Sequence, residues 1–204
     1  MVRVKICGIT DISSALVAAE AGADALGFVF APSPRRITPS LARRICRELP
    51  PFITRVGVFV DAPLEEVRAV AEYCGLDVIQ LHGNEPPDYC HSLGRRVIKA
   101  FRVGVELDPV ELARYPVDAI LLDSYVVGQK GGTGQPFDWQ LAASLKIARP
   151  LILAGGLRPD NVGRAVAMVK PYGVDVSSGV EKDGQPGKKD PDKIRRFIAA
   201  AKGP

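Results

Sequence analysis

Short apolar runs rich in β-branched residues alternate with longer amphipathic stretches along the whole chain. The strand candidates are VRVKI (2–6), ALGFVF (25–30), TRVGVFV (54–60), DVIQL (77–81), RVIKAF (96–101), DAILL (118–122), PLILA (150–154) and GVDVSS (173–178). Most are apolar at consecutive positions, not at every second one, which is how strands covered on both faces of a parallel sheet read. The stretches between them space their apolar residues helically and open on start signals. Asp11, Thr38-Pro39, Asp61 with Pro63, Pro86-Pro87, Asp108-Pro109, Asp138, Pro159-Asp160 and Asp190-Pro191 stand at those openings. An Asp or Thr oxygen caps the unpaired N–H groups of a first turn, and proline there has no N–H to leave unpaired.

Eight such units in 204 residues average about 25 residues each, at the small end of the (β/α)₈ range. The pattern therefore predicts an α/β protein: a single (β/α)₈ TIM barrel occupying residues 1–204 as one domain. An open doubly wound sheet is the runner-up. It is disfavoured because no GxGxxG follows the first strand and because an open sheet of this length rarely carries eight even units. No linker or low-complexity tract marks a second domain.

Composition narrows the function. With 47% hydrophobic and 25% charged residues the chain has a real core, and a net charge of +4 suits an anionic small molecule. Nucleic acid is disfavoured: Arg and Lys are dispersed, and aromatics make up only 6%. No apolar run approaches the roughly 20 residues of a membrane span, and Arg3 and Lys5 interrupt the first apolar run where a secretion signal would need it. Cysteines 7, 46, 74 and 90 form no CxxC or zinc spacing, and only His82 and His91 accompany them. Free thiols, no metal site, no cofactor and a cytoplasmic setting are the expectations.

In a barrel of this kind the site lies at the C-terminal ends of the strands. Cys7 ends the first strand, immediately before Gly8. It is either a small buried hydrophobe or a working thiol at the mouth of a site, and its place at a strand end favours the second. Asp123 follows an apolar run on strand six. It can cap a turn, or it can supply the acid opposite a Cys7 base. Such a base needs its pKa lowered, and Lys5, two residues back on the same strand face, is a candidate to do so. Asp123 would in turn need burial to keep a proton. Gly155-Gly156 after strand seven and Ser177-Ser178-Gly179 after strand eight read as a phosphate cradle of backbone N–H groups and hydroxyls. Arg36 suits a substrate carboxylate. His82 is either a rim hydrogen-bond donor or a structural histidine. Asp175, on strand eight, completes the substrate-binding candidates with Arg36 and His82. The glycine-rich GGTGQ (131–135) reads as a lid.

KICGIT (5–10), GADALGFVF (22–30), SPRRI (33–37), RVGVFV (55–60), QLHG (80–83), LLDS (121–124), GGTG with FDW (131–139), LAGGL (153–157) and DVSSGVE with PGKKD (175–190) together make the chain resemble the phosphoribosylanthranilate isomerases over nearly its whole length. The resemblance implies an Amadori rearrangement of N-(5-phosphoribosyl)anthranilate to the 1-deoxyribulose 5-phosphate, in tryptophan biosynthesis. It implies Cys7 as general base, Asp123 as general acid and Arg36 on the anthranilate carboxylate. It leaves monomer and homodimer both open. The isomerase of histidine synthesis is a rival, discounted because the first half of the chain carries no second GG and SSG pair. A non-catalytic phosphosugar-binding barrel is the other alternative, one that would need neither Cys7 nor Asp123.

Overall fold

The computed structural model describes residues 1–103, 108–124, 139–145 and 147–203. Strands and helices alternate as β1 (Arg3–Cys7), α1 (Ile12–Glu20), β2 (Ala25–Val29), α2 (Pro39–Glu48), β3 (Thr54–Phe59), α3 (Leu64–Cys74), β4 (Val78–Leu81), α4 (Pro87–Ser92), β5 (Arg96–Val103), α5 (Pro109–Ala113), β6 (Ala119–Ser124), α6 (Trp139–Ser144), β7 (Leu151–Leu153), α7 (Val162–Val169), β8 (Gly173–Val176) and α8 (Pro191–Lys202). The eight strands close into a parallel barrel in chain order. β8 completes the ring against β1, with Lys5 opposite Asp175.

Two apolar layers explain the unbroken hydrophobic runs. Val56, Ile98, Ala100, Ala119, Leu121, Ile152 and Ala154 fill the barrel interior. Strand residues of the opposite parity, such as Ile6, Phe28, Ile79, Ile120 and Leu122, pack outward with helix residues such as Ala15, Ile45 and Phe197. On β1 this parity sends Val4 and Ile6 toward the helices and leaves Lys5 and Cys7 facing in.

Caps at Asp11, Thr38, Asp108 and Asp190 form as the sequence predicts, each side chain accepting a first-turn N–H. Two start signals are corrected. Asp61 does not cap α3, whose N-cap is Pro63; its carboxylate instead accepts Asn84 N–H at 2.6 Å. α7 begins after Asn161, not at Pro159-Asp160, because Asn161 accepts Arg158 N–H and donates to Gly156 O, which turns the chain there. The Asp138 start signal lies outside the described residues.

One charged pair is sealed in the outer wall. Lys99 and Glu85 side chains are each 2% exposed and meet at 3.1 Å. Lys99 Nζ also donates to Gly83 O, and Glu85 accepts the N–H groups of Asp61 and Gly83. The loops after β3 and β4 are thereby tied together beneath His82. At the opposite, N-terminal end of the barrel a cavity of about 500 Å³ opens between Arg3, Asp24, Arg96, Asp118 and Tyr172, with Phe52 on its lining and 95% exposed.

Candidate active site

The interior end of β1 holds a thiol backed by a charge pair. Lys5 Nζ donates to Asp175 Oδ1 at 2.9 Å, and both side chains are buried. Asp175 Oδ2 has no hydrogen-bond donor among the described residues. A Cβ on Gly27, across from Cys7 on β2, would lie 2.8 Å from Cys7 Sγ and 3.1 Å from Lys5 Cε. Both side chains therefore rest on the same bare stretch of β2, side by side. Gly27 is a site residue that pattern reading missed; a glycine inside an apolar strand is its one sequence signal.

A second cluster lies beside the thiol. Arg35 grips Glu181 through Nε at 2.7 Å and Nη2 at 2.8 Å. Glu181 also accepts Gly187 N–H and Lys189 Nζ. Lys189, with its side chain fully buried, donates to Ser177 O at 3.0 Å. Gly8 must be glycine here: its φ is +74°, and a Cβ would meet Arg35 Cδ at 2.8 Å and Ser177 Oγ at 3.0 Å. The loops after β1, β2 and β8 are thus one braced unit. No local sequence signal marks Arg35, Glu181 or Lys189 for this brace, because Arg35 and Glu181 lie 146 residues apart along the chain.

Electrostatics correct one expectation. Burial pushes the Cys7 thiol up, and Asp175 adds to that; Lys5 and Lys189 pull it down without prevailing. The lowered thiol pKa asked of Lys5 is therefore not reached. Burial opposes charge on Lys5, but Asp175 and the thiol outweigh it and hold its pKa high, so the ammonium persists. Burial lowers Lys189 despite Glu181. Burial would raise Glu181, yet Arg35, Lys189 and the Gly187 N–H hold it below the usual carboxylate range.

Asp123 lies within β6, one position inside its end, and meets His82 Nε2 at 3.3 Å. β6 stands three strands from β1 around the ring of eight, so the two candidate proton-transfer groups approach the mouth from well-separated walls. Gln80 Nε2 sits 3.4 Å from His82 Nδ1, while its Oε1 is buried with no partner among the described residues.

The residues expected to form an anion cradle sit on two adjacent loops, after β7 and after β8. Gly155 and Gly156 take φ of +81° and +64°, conformations open to glycine. Ser178–Val180 forms a single 3₁₀ turn after β8. A Cβ on Gly179 would lie 1.9 Å from Leu157 O, so the SSG turn presses directly on the chain leaving β7. Asn161 holds Gly156 O from the other side at 2.9 Å. Arg36 is exposed and lines a hollow of about 410 Å³ with Phe30, Thr38, Glu66 and Val70. The GGTGQ stretch lies outside the described residues. Among the described residues no group of three or more His, Cys, Asp or Glu is placed to hold a metal ion, and no helix is long and apolar enough to cross a membrane.

Comparison with known proteins agrees in sequence and in shape. The family model "N-(5'phosphoribosyl)anthranilate (PRA) isomerase" matches residues 4–200. The N-(5'-phosphoribosyl)anthranilate isomerase of Desulforamulus reducens is 58% identical over 198 residues, 97% of this chain and 94% of that one. A solved phosphoribosyl anthranilate isomerase in complex with reduced 1-(o-carboxyphenylamino)-1-deoxyribulose 5-phosphate is 46% identical with a TM-score of 0.85, covering 100% of both chains. A structure of monomers of the dimeric enzyme from Thermotoga maritima is 44% identical, with a TM-score of 0.84 and 100% coverage of both chains.

Proposed function

The chain belongs to the N-(5'-phosphoribosyl)anthranilate isomerase family, and on that premise we propose how its residues divide the reaction. The activity is the Amadori rearrangement of N-(5'-phosphoribosyl)anthranilate in tryptophan biosynthesis. Asp123 gives its proton to the furanose ring oxygen; the C1–O bond breaks, and the anthranilate nitrogen lone pair forms the C1=N bond. Cys7, as thiolate, takes the proton from C2. The C2–H electrons become the C1=C2 bond and the nitrogen recovers its lone pair. The enolamine then gains a proton at C1 and loses one from the C2 oxygen, giving the ketone. Only protons and double bonds move.

Arg36 takes the anthranilate carboxylate; Gly155, Gly156, Ser177, Ser178 and Gly179 take the phosphate. His82 orients Asp123, and the free Oδ2 of Asp175 accepts a ribose hydroxyl. The observation that most supports this division is the pair of candidate proton carriers on well-separated strands, with an anion cradle between their walls at β7 and β8. Following the fluorescence of the anthranilate substrate tests it. Cys7→Ser and Asp123→Asn should each lose roughly a hundredfold or more in turnover, the contribution of a general acid or base, while still binding product. Wild-type turnover in either variant removes that residue from the chemistry.

We further propose a cytoplasmic homodimer in which residues 1–204 of each subunit form a single domain. Exposed Phe52 and Tyr172 around the lower cavity and the relative described as dimeric support the pairing.

A further inference from the structure

The buried Lys5–Asp175 pair has no task in the scheme above beyond the free oxygen of Asp175. Two full charges in a barrel interior are an odd choice for stability, since apolar side chains of the same volume do as well or better. Their position is specific. Lys5 shares the inward face of β1 with Cys7, and its terminal methylene and the Cys7 sulfur both lie against Gly27, where a single methyl group would displace both. Asp175 draws the ammonium from the β8 side at 2.9 Å.

We propose that Lys5 and Asp175 are positioning residues that set the charge on Cys7: the Lys5 ammonium stabilises the thiolate, and Asp175 holds that ammonium in place while moderating its pull. This rests on Cys7 being the base. The thiol proton leaves to water, the thiolate takes the C2 proton, and Lys5 stays charged throughout. The other charged groups near the sulfur are Lys189 and Glu181 from the loop after β8 and Arg35 from the loop after β2. β2, with the sequence ALGFV, contributes no titratable or charged side chain. Glu181 is already engaged by Arg35 and Lys189, whereas among the described residues Asp175 pairs with Lys5 and no other cation.

The two residues must act with opposite sign, which a merely structural role does not produce. The test is the pH midpoint of Cys7 alkylation by iodoacetamide, followed by mass spectrometry of the Cys7 peptide, alongside kcat and KM. Lys5→Met should raise the midpoint by about one unit or more and lower kcat at neutral pH about tenfold, with KM little changed. Lys5→Arg should recover most of the midpoint. Asp175→Asn should lower the midpoint, because the ammonium then faces the sulfur unopposed. If Lys5→Met does not fold, the Lys5→Met/Asp175→Asn double variant, which strands no charge, must have a higher midpoint than Asp175→Asn alone. Midpoints that stay put, or that move the same way in both single variants, overturn the proposal. Full turnover by Cys7→Ser would instead remove the base reading, while the alkylation midpoints would still decide whether the pair governs the thiol.

Discussion

Replacing Gly179 by alanine adds one methyl group where the structure has no room for it. The new Cβ would stand 1.9 Å from the carbonyl oxygen of Leu157, a backbone atom that cannot swing aside. Ordinary non-bonded contact with carbon needs about 3.5 Å, so the turn after β8 must retreat from the chain leaving β7 by more than 1 Å. Those two segments carry the candidate phosphate N–H groups, and a misplacement of about 1 Å can cost a hundredfold in rate. The expected result is a fall of roughly a hundredfold in kcat/KM and a matching loss of competitive inhibition by inorganic phosphate. Overpacking should also cost about 1–3 kcal/mol, which for a chain of this size lowers Tm by about 2–12 °C. Gly94→Ala is the control: its φ is +64° and nothing lies within 4 Å of its Cβ, so it is penalised in backbone conformation alone. It should lose Tm while phosphate affinity holds. Gly179→Ala with kcat/KM and phosphate inhibition within threefold of wild type would refute the cradle.

Three further outcomes follow from the described contacts. Glu181 titrates below its usual 4.5 in the folded chain, so its contribution to stability is complete above the unfolded value and is lost as pH falls through the folded one; urea midpoints between pH 7 and pH 3 should decline more steeply for wild type than for Glu181→Gln, and parallel declines would contradict the assignment. Lys99→Met strands a carboxylate that is 2% exposed and should cost about 3–5 kcal/mol, part of it recovered in Lys99→Met/Glu85→Gln; calorimetry showing no loss in the single variant would count against a sealed pair. Phe52→Ser removes an aromatic ring that is 95% exposed; on the proposed pairing through the lower cavity, light scattering should give one subunit's mass for the variant and two for wild type, and equal masses would refute that pairing.

The barrel was legible because its signals are local: unbroken apolar runs, N-caps and glycines lie within a few residues of what they determine. The strand-end positions of Cys7, Asp123 and the two glycine turns were legible for the same reason, each lying at the end of a readable strand. What escaped were side chains whose partners arrive from far along the chain. Arg35 and Glu181 are 146 residues apart, and Lys5 and Asp175 are 170 apart. Nothing near Arg35 distinguishes it from its neighbour Arg36, yet one is locked into a buried brace and the other is exposed. Asp61 misled for the opposite reason. It has the composition of a cap, but a loop 23 residues later claims its carboxylate. The thiol pKa was misjudged because the pull of Lys5 can be anticipated from spacing, whereas depth of burial cannot.

The seam between β1 and β8 also governs how the protein comes into being. Asp175 is synthesised 170 residues after Lys5, which at ribosomal speeds of about 5–20 residues per second is a wait on the order of ten seconds or more. Through that interval the nascent chain carries a lysine bound for the interior with no counter-ion, beside a reactive sulfur whose final burial has not happened. Early strands can pair and gather helices, but the chemistry-bearing end of β1 stays unfinished until the last strand docks. Ring closure is therefore both the slowest kind of contact to make and the event that creates the site, so a nascent barrel has no partial activity to offer before it is sealed.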